Sequence, residues 1–429
     1  MPERLNPGVF KVPIDKIRNG YYSDKYFTRY VEVLKKSNKK SEVLYQFFPR
    51  SKAIVVGLDE ALAILKFGTG YYRDEEKVSE ITNELKEVEK KLSNAAWKMD
   101  RKLLSILSEK KWDLKLRLND YWEDKWNEIE VKALYDGDTA GNMEPVMTIE
   151  GDPRYFGYLE TVLLGVIARA SSTATAVKKV VNAARGKPVL FFSARFDHFW
   201  TQATDGYAAL KTGAFGVSTD ANAGYWGVES MGTIPHALIA AYSGDTGEAS
   251  IAFDKYIEDS VNRIALVDWN NDVVNTTIEV VKKQYYYIFN KEFIPGKTDP
   301  SPIIGEGKDK LWGVRFDTSG TQRDNSVIPK DESSLGVCPE LVWTARKKFD
   351  NLGLEKLKIV VSGGFDENKI NLFEKLGVPV DTYGVGSSLL KYKIDFTADV
   401  VELNGIPCAK VGRGKKDTSR LSKIDKEYW

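Results

Sequence analysis

The chain has 429 residues, enough for two or three domains or for one barrel with additions. Its 62 Lys and Arg balance its 61 Asp and Glu, so the net charge of +1 argues against nucleic acid or an anionic membrane as a partner. The two cysteines, Cys338 and Cys408, form no CxxC pair, which excludes a four-thiolate zinc site and fits a reducing compartment. Without a signal-peptide pattern or an apolar run of about 20 residues, we expect a soluble, cytoplasmic protein.

The first 150 residues predict a small α+β domain. The pattern predicts, in order, a helix over 21–36 capped by Ser23 or Asp24, strands over 43–48 and 53–57, a helix over 60–67 and a strand over 145–150. Between them, residues 74–133 are rich in Glu, Lys and apolar residues at helical spacing. This segment predicts a helical hairpin or a run of surface helices with a solvated charged face.

The region over 151–390 predicts an α/β barrel. It begins with a helix over 158–168, a small-residue run over 170–176 and a helix to residue 184. Six apolar runs then alternate with helices, which indicates parallel strands joined by crossovers: 189–192, 214–217, 264–267, 311–316, 359–361 and 382–385. We expect an irregular, incomplete or nearly closed barrel and not an open sheet, because no dinucleotide fingerprint follows the first strand. Residues 391–429 are strand-like and then charged, and we expect them to rejoin and complete the N-terminal sheet.

Two successive predicted strands end in turns of small residues. Ser362, Gly363 and Gly364 follow the fifth strand, and Gly384, Gly386 and Ser387 end the sixth. Glycines let backbone N–H groups approach a ligand closely, and the last two strand ends of a barrel often form a phosphate site. The alternative is that both are ordinary strand–helix turns. The repetition favours phosphate binding.

Other strand ends carry a cation and a rare histidine. Ser193 and Arg195 follow the first strand directly, and the planar guanidinium suits a carboxylate or a phosphate. Thr233 and His236 come after the second strand. Only one other histidine occurs in the chain, although a lone histidine is more often structural than catalytic.

Two carboxylates follow the third and fourth strands. Asp268 comes after one and Asp317, preceded by Arg315, after the other, so both are expected at the barrel mouth. They are candidates to bind sugar hydroxyls or Mg²⁺. Capping of the next helices is a competing role for each. Together the strand ends favour a phosphorylated sugar and a second, anionic substrate.

The order and spacing of these pieces resemble the nicotinate phosphoribosyltransferases, and more loosely the quinolinate and nicotinamide enzymes. The resemblance covers about residues 150–390, with a weaker match at Asp24 and Tyr26. The matching motifs are Gly232-Thr233-Ile234-Pro235-His236, Gly313-Val314-Arg315-Phe316-Asp317, Val361-Ser362-Gly363-Gly364 and Gly384-Val385-Gly386-Ser387-Ser388-Leu389. The chain departs from the family where Thr321 replaces an acidic residue and where Arg195-Phe196 replaces paired arginines.

The resemblance implies transfer of phosphoribose from phosphoribosyl pyrophosphate to nicotinate in NAD salvage, with Mg²⁺ and with ATP as co-substrate. The glycine turns would hold the 5′-phosphate, and Asp317 and Asp268 the ribose hydroxyls or the Mg²⁺-bound pyrophosphate. Arg195 would pair with the nicotinate carboxylate. Tyr26 would cover the pyridine ring across the interface of a homodimer or higher homo-oligomer with a shared active site. His236 would be the histidine that ATP phosphorylates.

Three alternatives remain at this point. A quinolinate phosphoribosyltransferase would decarboxylate its base and need no ATP, but it would call for more basic residues at the mouth than the chain offers. A nicotinamide phosphoribosyltransferase is the second alternative. The third is a non-catalytic phosphosugar-binding barrel.

Overall fold

The computed structural model describes residues 3–427, which fold into two compact units. The α-helices are α1 Ile14–Arg18, α2 Lys25–Lys36, α3 Leu58–Gly68, α4 Glu75–Trp97, α5 Arg101–Asp120, α6 Glu160–Ala183, α7 Gln202–Lys211, α8 Asp220–Ala223, α9 His236–Ala241, α10 Thr246–Tyr256, α11 Val273–Phe289, α12 Pro339–Asp350 and α13 Glu367–Lys375. The strands are β1 Val43–Pro49, β2 Ala53–Ile54, β3 Gly70–Tyr72, β4 Trp122–Asp124, β5 Glu130–Ala133, β6 Thr139–Ala140, β7 Met147–Gly151, β8 Val189–Phe191, β9 Gly216–Val217, β10 Ile264–Leu266, β11 Gly313–Phe316, β12 Lys358–Val361, β13 Thr382–Val385, β14 Phe396–Leu403, β15 Ile406–Pro407 and β16 Ser422–Lys423.

Unit 1 comprises residues 3–171 and 394–427 of the described chain and is built on an antiparallel sheet of order β15-β14-β1-β7-β5-β16. All seven residues of β1 are buried, because β1 lies between β14 and β7 in the interior of the sheet. The C-terminal strands therefore pair with strands from the first 151 residues. This is the arrangement expected from the strand-like character of the segment after residue 391.

The insert of unit 1 is a helical hairpin that is shorter than the sequence predicts. Helices α4 and α5 pack through the apolar residues that their helical spacing brings to one face, with Leu85 and Leu114 buried between them. Side chains of Asp74 and Asp100 cap the two helices. The helical prediction is wrong after residue 120, because Trp122–Asp124 pairs with β3 and Glu130–Ala133 pairs with β7.

Unit 2, residues 172–393, contains a six-stranded parallel sheet of order β10-β11-β12-β13-β8-β9. The mixed α/β fold with a parallel, incomplete barrel is confirmed. Its strands are short and consist almost entirely of buried residues, as expected for a sheet covered by helices. A large hydrophobic core cluster surrounds it and includes Phe316, Phe349 and Tyr383. The carboxyl ends of the six strands meet at one edge.

The boundary between the units lies within α6 and not at residues 150 and 151. Helix α6 is continuous, so the expected interruption between residues 168 and 170 is wrong. Ala, Ser and Thr over 170–176 are all buried. Small side chains at these positions reflect close packing in a continuous helix. None of the helices within residues 3–427 is long and apolar enough to cross a membrane.

Candidate active site

A cleft of about 610 Å³ lies at the carboxyl edge of the unit 2 sheet. Eleven of its lining residues are ones that the sequence singles out: Arg195, Thr233, His236, Arg315, Asp317, Ser362, Gly363, Gly364, Gly384, Gly386 and Ser387. They converge because parallel strands of one sheet present their carboxyl ends together. Ser193 lies beneath the cleft, fully buried, and its hydroxyl donates to the Gly386 carbonyl at 2.9 Å.

The turn after β12 is built from two consecutive left-handed glycines. Gly363 has φ +83° and Gly364 has φ +73°. A Cβ on Gly363 would lie 3.3 to 3.4 Å from oxygens of Thr318 and Asp317, so a side chain there would crowd these neighbours. The space that a Cβ on Gly364 would enter is open. Glycine is therefore favoured at the first position mainly by its left-handed conformation and also by the limited space.

Hydrogen bonds join this turn to its neighbours. The Ser362 hydroxyl donates to Asp317 Oδ1 at 2.8 Å, and its backbone N–H donates to the Phe316 carbonyl at 2.9 Å. The Ser388 hydroxyl, from the turn after β13, donates to the Phe365 carbonyl at 2.8 Å. The two glycine turns are thus held in a fixed relation, as a preformed cradle for an anion would require.

Arg315 is the cation deepest in the cleft. Only 14% of its side chain is exposed, and desolvation lowers the pKa of its guanidinium, against the opposing charges of Asp317 and Asp268. Its closest carboxylate contact is long, with Nη2 4.0 Å from Asp317 Oδ2. The buried Nε has no hydrogen-bond partner within residues 3–427. A buried guanidinium that lacks a close carboxylate and leaves an N–H without a hydrogen-bond acceptor is well suited to bind an anion.

His236 and Asp268 form a hydrogen-bonded pair at the edge of the cleft. Nε2 of His236 lies 3.0 Å from Asp268 Oδ1 and 3.2 Å from Oδ2. Burial raises the pKa of Asp268, His236 opposes this shift, and the charge of Asp317 adds to it. Asp317 lines the cleft, whereas Asp268 is not one of its lining residues and is joined to it through His236. Neither in this cleft nor in any other part of residues 3–427 are three His, Cys, Asp or Glu side chains grouped so that they could hold a metal ion.

Two predicted residues, Arg195 and Tyr26, and the second histidine of the chain need separate mention. Arg195 lines the cleft but is exposed, and its guanidinium lies 5.1 Å from the centroid of the Phe196 ring. Tyr26 belongs to unit 1, where it is 63% exposed on α2. His198, the other histidine, is exposed and is not part of the cleft lining.

Sequence reasoning assigned no function to the aromatic wall of the cleft. Phe192, Phe196 and Phe365 line it and offer apolar surface for a planar ring. Lys369 lies behind the Gly363 turn, with Nζ 3.4 Å from the Gly363 carbonyl and 4.3 Å from the Phe365 ring centroid. The sequence could have predicted these lining residues from their position, because each phenylalanine comes within a few residues of a strand end.

The chain is similar to known proteins in sequence and in fold. No protein-family model matches the sequence. The nicotinate phosphoribosyltransferase pncB1 of Mycobacterium tuberculosis is 26% identical over 310 residues, which are 69% of this chain and 61% of that protein. The nicotinate phosphoribosyltransferase of Bacillus subtilis is 24% identical over 261 residues, covering 60% and 45%. The chain thus spans about half to three fifths of the length of these curated relatives.

Solved structures agree in fold. The nicotinate-nucleotide pyrophosphorylase of Pyrococcus furiosus has a TM-score of 0.66 and 27% identity over 96% of this chain and 85% of that chain. Human nicotinic acid phosphoribosyltransferase has a TM-score of 0.57 over 90% and 75%, at 16% identity, which supports the fold alone. The chain is thus similar in sequence to proteins named nicotinate phosphoribosyltransferase. The resemblance drawn from the strand-end motifs is confirmed.

Proposed function

We propose that this protein is a nicotinate phosphoribosyltransferase, which makes nicotinate mononucleotide from nicotinate and phosphoribosyl pyrophosphate in NAD salvage. The observation that carries the proposal is Arg315, a mostly buried guanidinium that lines the same cleft as the two glycine turns and lies 4.0 Å from its nearest carboxylate oxygen. The relatives named nicotinate phosphoribosyltransferase support the same reaction.

The cleft offers a distinct group for each part of the substrates. The N–H-rich turns at Gly363-Gly364 and Gly386-Ser387 suit the 5′-phosphate. Asp317, fixed by the Ser362 hydroxyl, suits the ribose hydroxyls. Arg315 and the exposed Arg195 are the cations that face the cleft, and they suit the nicotinate carboxylate and the pyrophosphate. Tyr26 keeps its proposed role over the pyridine ring, supplied by a partner subunit of a homo-oligomer.

The donor set fits Mg²⁺ shared between protein and substrate. Asp268 and Asp317 provide two carboxylates, and Mg²⁺ sites commonly combine one or two carboxylates with phosphate oxygens. When bound, Mg²⁺ would neutralise charge on the pyrophosphate leaving group. The protein groups hold the ribose and the base in line, while surrounding anionic oxygens favour the positive charge that develops at the anomeric carbon.

We further propose that ATP phosphorylates His236. Nε2 of His236 lies within hydrogen-bond distance of Asp268. Because an ionised carboxylate can only accept, it would hold the proton on Nε2 and leave the lone pair of the neutral ring on Nδ1. Nδ1 is then available to attack the γ-phosphorus of ATP. The bond to the bridging oxygen breaks and ADP leaves.

A substrate panel tests the proposed function. Product formation is measured with nicotinate, nicotinamide or quinolinate, each with phosphoribosyl pyrophosphate and Mg²⁺, with and without ATP. We expect turnover of nicotinate and stimulation by ATP. Turnover of quinolinate alone without an ATP effect would overturn the assignment, and binding of phosphoribosyl pyrophosphate without turnover of any base would indicate a phosphosugar-binding barrel.

A further inference from the structure

Unit 1 contains a second cleft, of about 680 Å³, which the proposed reaction does not use. It is lined by one face of α2, by α4 of the helical hairpin and by residues of β3 and β4. Tyr26, the α2 residue proposed to cover the pyridine ring, is not among the lining residues, whereas Lys25, Thr28 and Lys35 are. The proposed role of Tyr26 would therefore leave this face of α2 unused.

The charge in this cleft is predominantly positive. Five basic residues line it: Lys16, Arg18, Lys25, Lys35 and Lys86. The three acidic ones are Asp15, Glu75 and Glu89. Two of these acids already have partners on α5, since Lys115 Nζ lies 3.0 Å from Asp15 and Lys111 Nζ lies 2.8 Å from Glu89. The second helix of the hairpin thus neutralises acids that would otherwise offset the lysines.

The lining lysines lack carboxylate partners. Within residues 3–427 no ion pair joins Lys16, Lys25, Lys35 or Lys86 to an acidic side chain. Lys25, Lys35 and Lys86 are exposed and Lys16 is half-buried, so their ammonium groups are accessible to an anion in the cleft.

Aromatic rings lie beside these cations. The Lys16 ammonium is 5.3 Å from the Tyr21 ring centroid, and the Arg18 guanidinium is 4.4 Å from that of Trp122. The Tyr21 side chain is 67% exposed and leaves ring surface for stacking. The α4 wall adds polar groups, including a buried Thr82 hydroxyl without a partner in the described part of the chain. Stacking surfaces next to unpaired cations suit a ligand with a planar ring and a phosphate.

We propose that the unit 1 cleft is a binding site for a nucleotide. The phosphate binds among the unpaired lysines, with Lys35 from α2 and Lys86 from α4, and the base stacks on the tyrosines. This gives the helical hairpin a function: α4 supplies one wall, and α5 supplies the lysines that keep the cleft positive. The ligand class follows from the chemistry of the lining residues and is independent of the proposed transfer reaction.

Calorimetric titration with AMP tests the site on the full chain. We expect AMP to bind the wild type, and a Lys35→Gln/Lys86→Gln variant to bind at least tenfold more weakly. The matched control is Lys90→Gln/Lys91→Gln, which removes two exposed lysines of the same helix outside the cleft and should keep wild-type affinity. Arg315→Gln, in the catalytic cleft, should also retain AMP binding.

Further arms make the test decisive. Thermal unfolding establishes that each variant is folded, and Tyr21→Ala provides a second, independent variant expected to weaken AMP. Unchanged AMP affinity in both variants, or no AMP binding by the wild type at millimolar concentration, would overturn the proposal. If inorganic phosphate bound as tightly as AMP, the proposed stacking of the base on the tyrosines would be wrong. Because calorimetry measures AMP binding directly, the AMP affinity can be interpreted even if the protein has no phosphoribosyltransferase activity.

Discussion

The Nε2 atom of His236 lies 3.0 Å from Oδ1 of Asp268, a carboxylate whose side chain is only 8% exposed. His236 itself is 44% exposed and faces the cleft. A buried acceptor thus orients an accessible ring and selects which nitrogen carries the proton. In the proposed reaction this pairing makes Nδ1 the nucleophile toward ATP.

Replacing Asp268 by Asn should disturb that selection. An amide can donate to Nε2 and so favour the tautomer with its proton on Nδ1. We expect Asp268→Asn to slow label transfer from [γ-³²P]ATP to the protein by about 10- to 100-fold. Transfer of phosphoribose measured without ATP should fall less. Labelling at the wild-type rate would show that Asp268 does not orient His236.

The two histidines provide a matched pair. His236→Ala should abolish labelling by ATP, because the proposed acceptor atom is gone. His198→Ala should label normally, since His198 is exposed and is not part of the cleft lining. Equal labelling of the two variants would disprove the phosphohistidine role, whatever the transferase activity of either.

Ala substitutions at Gly363 and Gly377 distinguish a role in substrate binding from a purely conformational role. Both have positive φ, +83° and +68°, so an Ala substitution at either should destabilise the protein by about 1–2 kcal/mol. Only Gly363 belongs to the cleft, where a Cβ would crowd Asp317. Steady-state kinetics should show at least a tenfold higher KM for phosphoribosyl pyrophosphate in Gly363→Ala alone. The same KM increase in Gly377→Ala would attribute the effect to lost stability.

Glu160 in unit 1 predicts a pH-dependent stability. Desolvation raises its pKa to about 8, and the nearby charges of Asp399 and Asp24 contribute. The folded state therefore holds this proton more tightly than the unfolded chain, so the free energy of unfolding should fall as pH rises through about 8. Urea unfolding between pH 6 and pH 9 should show a steeper decline for the wild type than for Glu160→Gln. Parallel profiles would contradict the raised pKa.

Much of the candidate site could be predicted because its signals are local. A run of apolar residues such as Ile359 to Val361, followed directly by Ser362 and two glycines, predicts both a buried strand and a tight turn. The parallel order of six such strands then brings their ends together. His236 and Asp268 are 32 residues apart, yet both follow predicted strands and meet in the structure.

Other features depended on tertiary packing and were mispredicted or undetermined. Residues 122–124 and 130–133 continue a charged segment of helical character, but pairing with β3 and β7 makes them strands. The small residues of α6 suggested a break, whereas burial favours them inside a continuous helix. Nothing in the sequence distinguished exposed Arg195 from largely buried Arg315, since burial is set by neighbours distant along the chain.

The most direct test of the proposed activity is the initial rate of nicotinate mononucleotide formation by wild type, Arg315→Gln and Arg101→Gln. Arg101 is an exposed arginine of the hairpin and serves as the matched control. Loss of a charge-assisted contact worth about 1.5–3 kcal/mol should slow Arg315→Gln roughly 10- to 150-fold at subsaturating substrate. Arg101→Gln should match the wild type. No product from the wild type, or equal rates for wild type and Arg315→Gln, would contradict the assignment of this cleft.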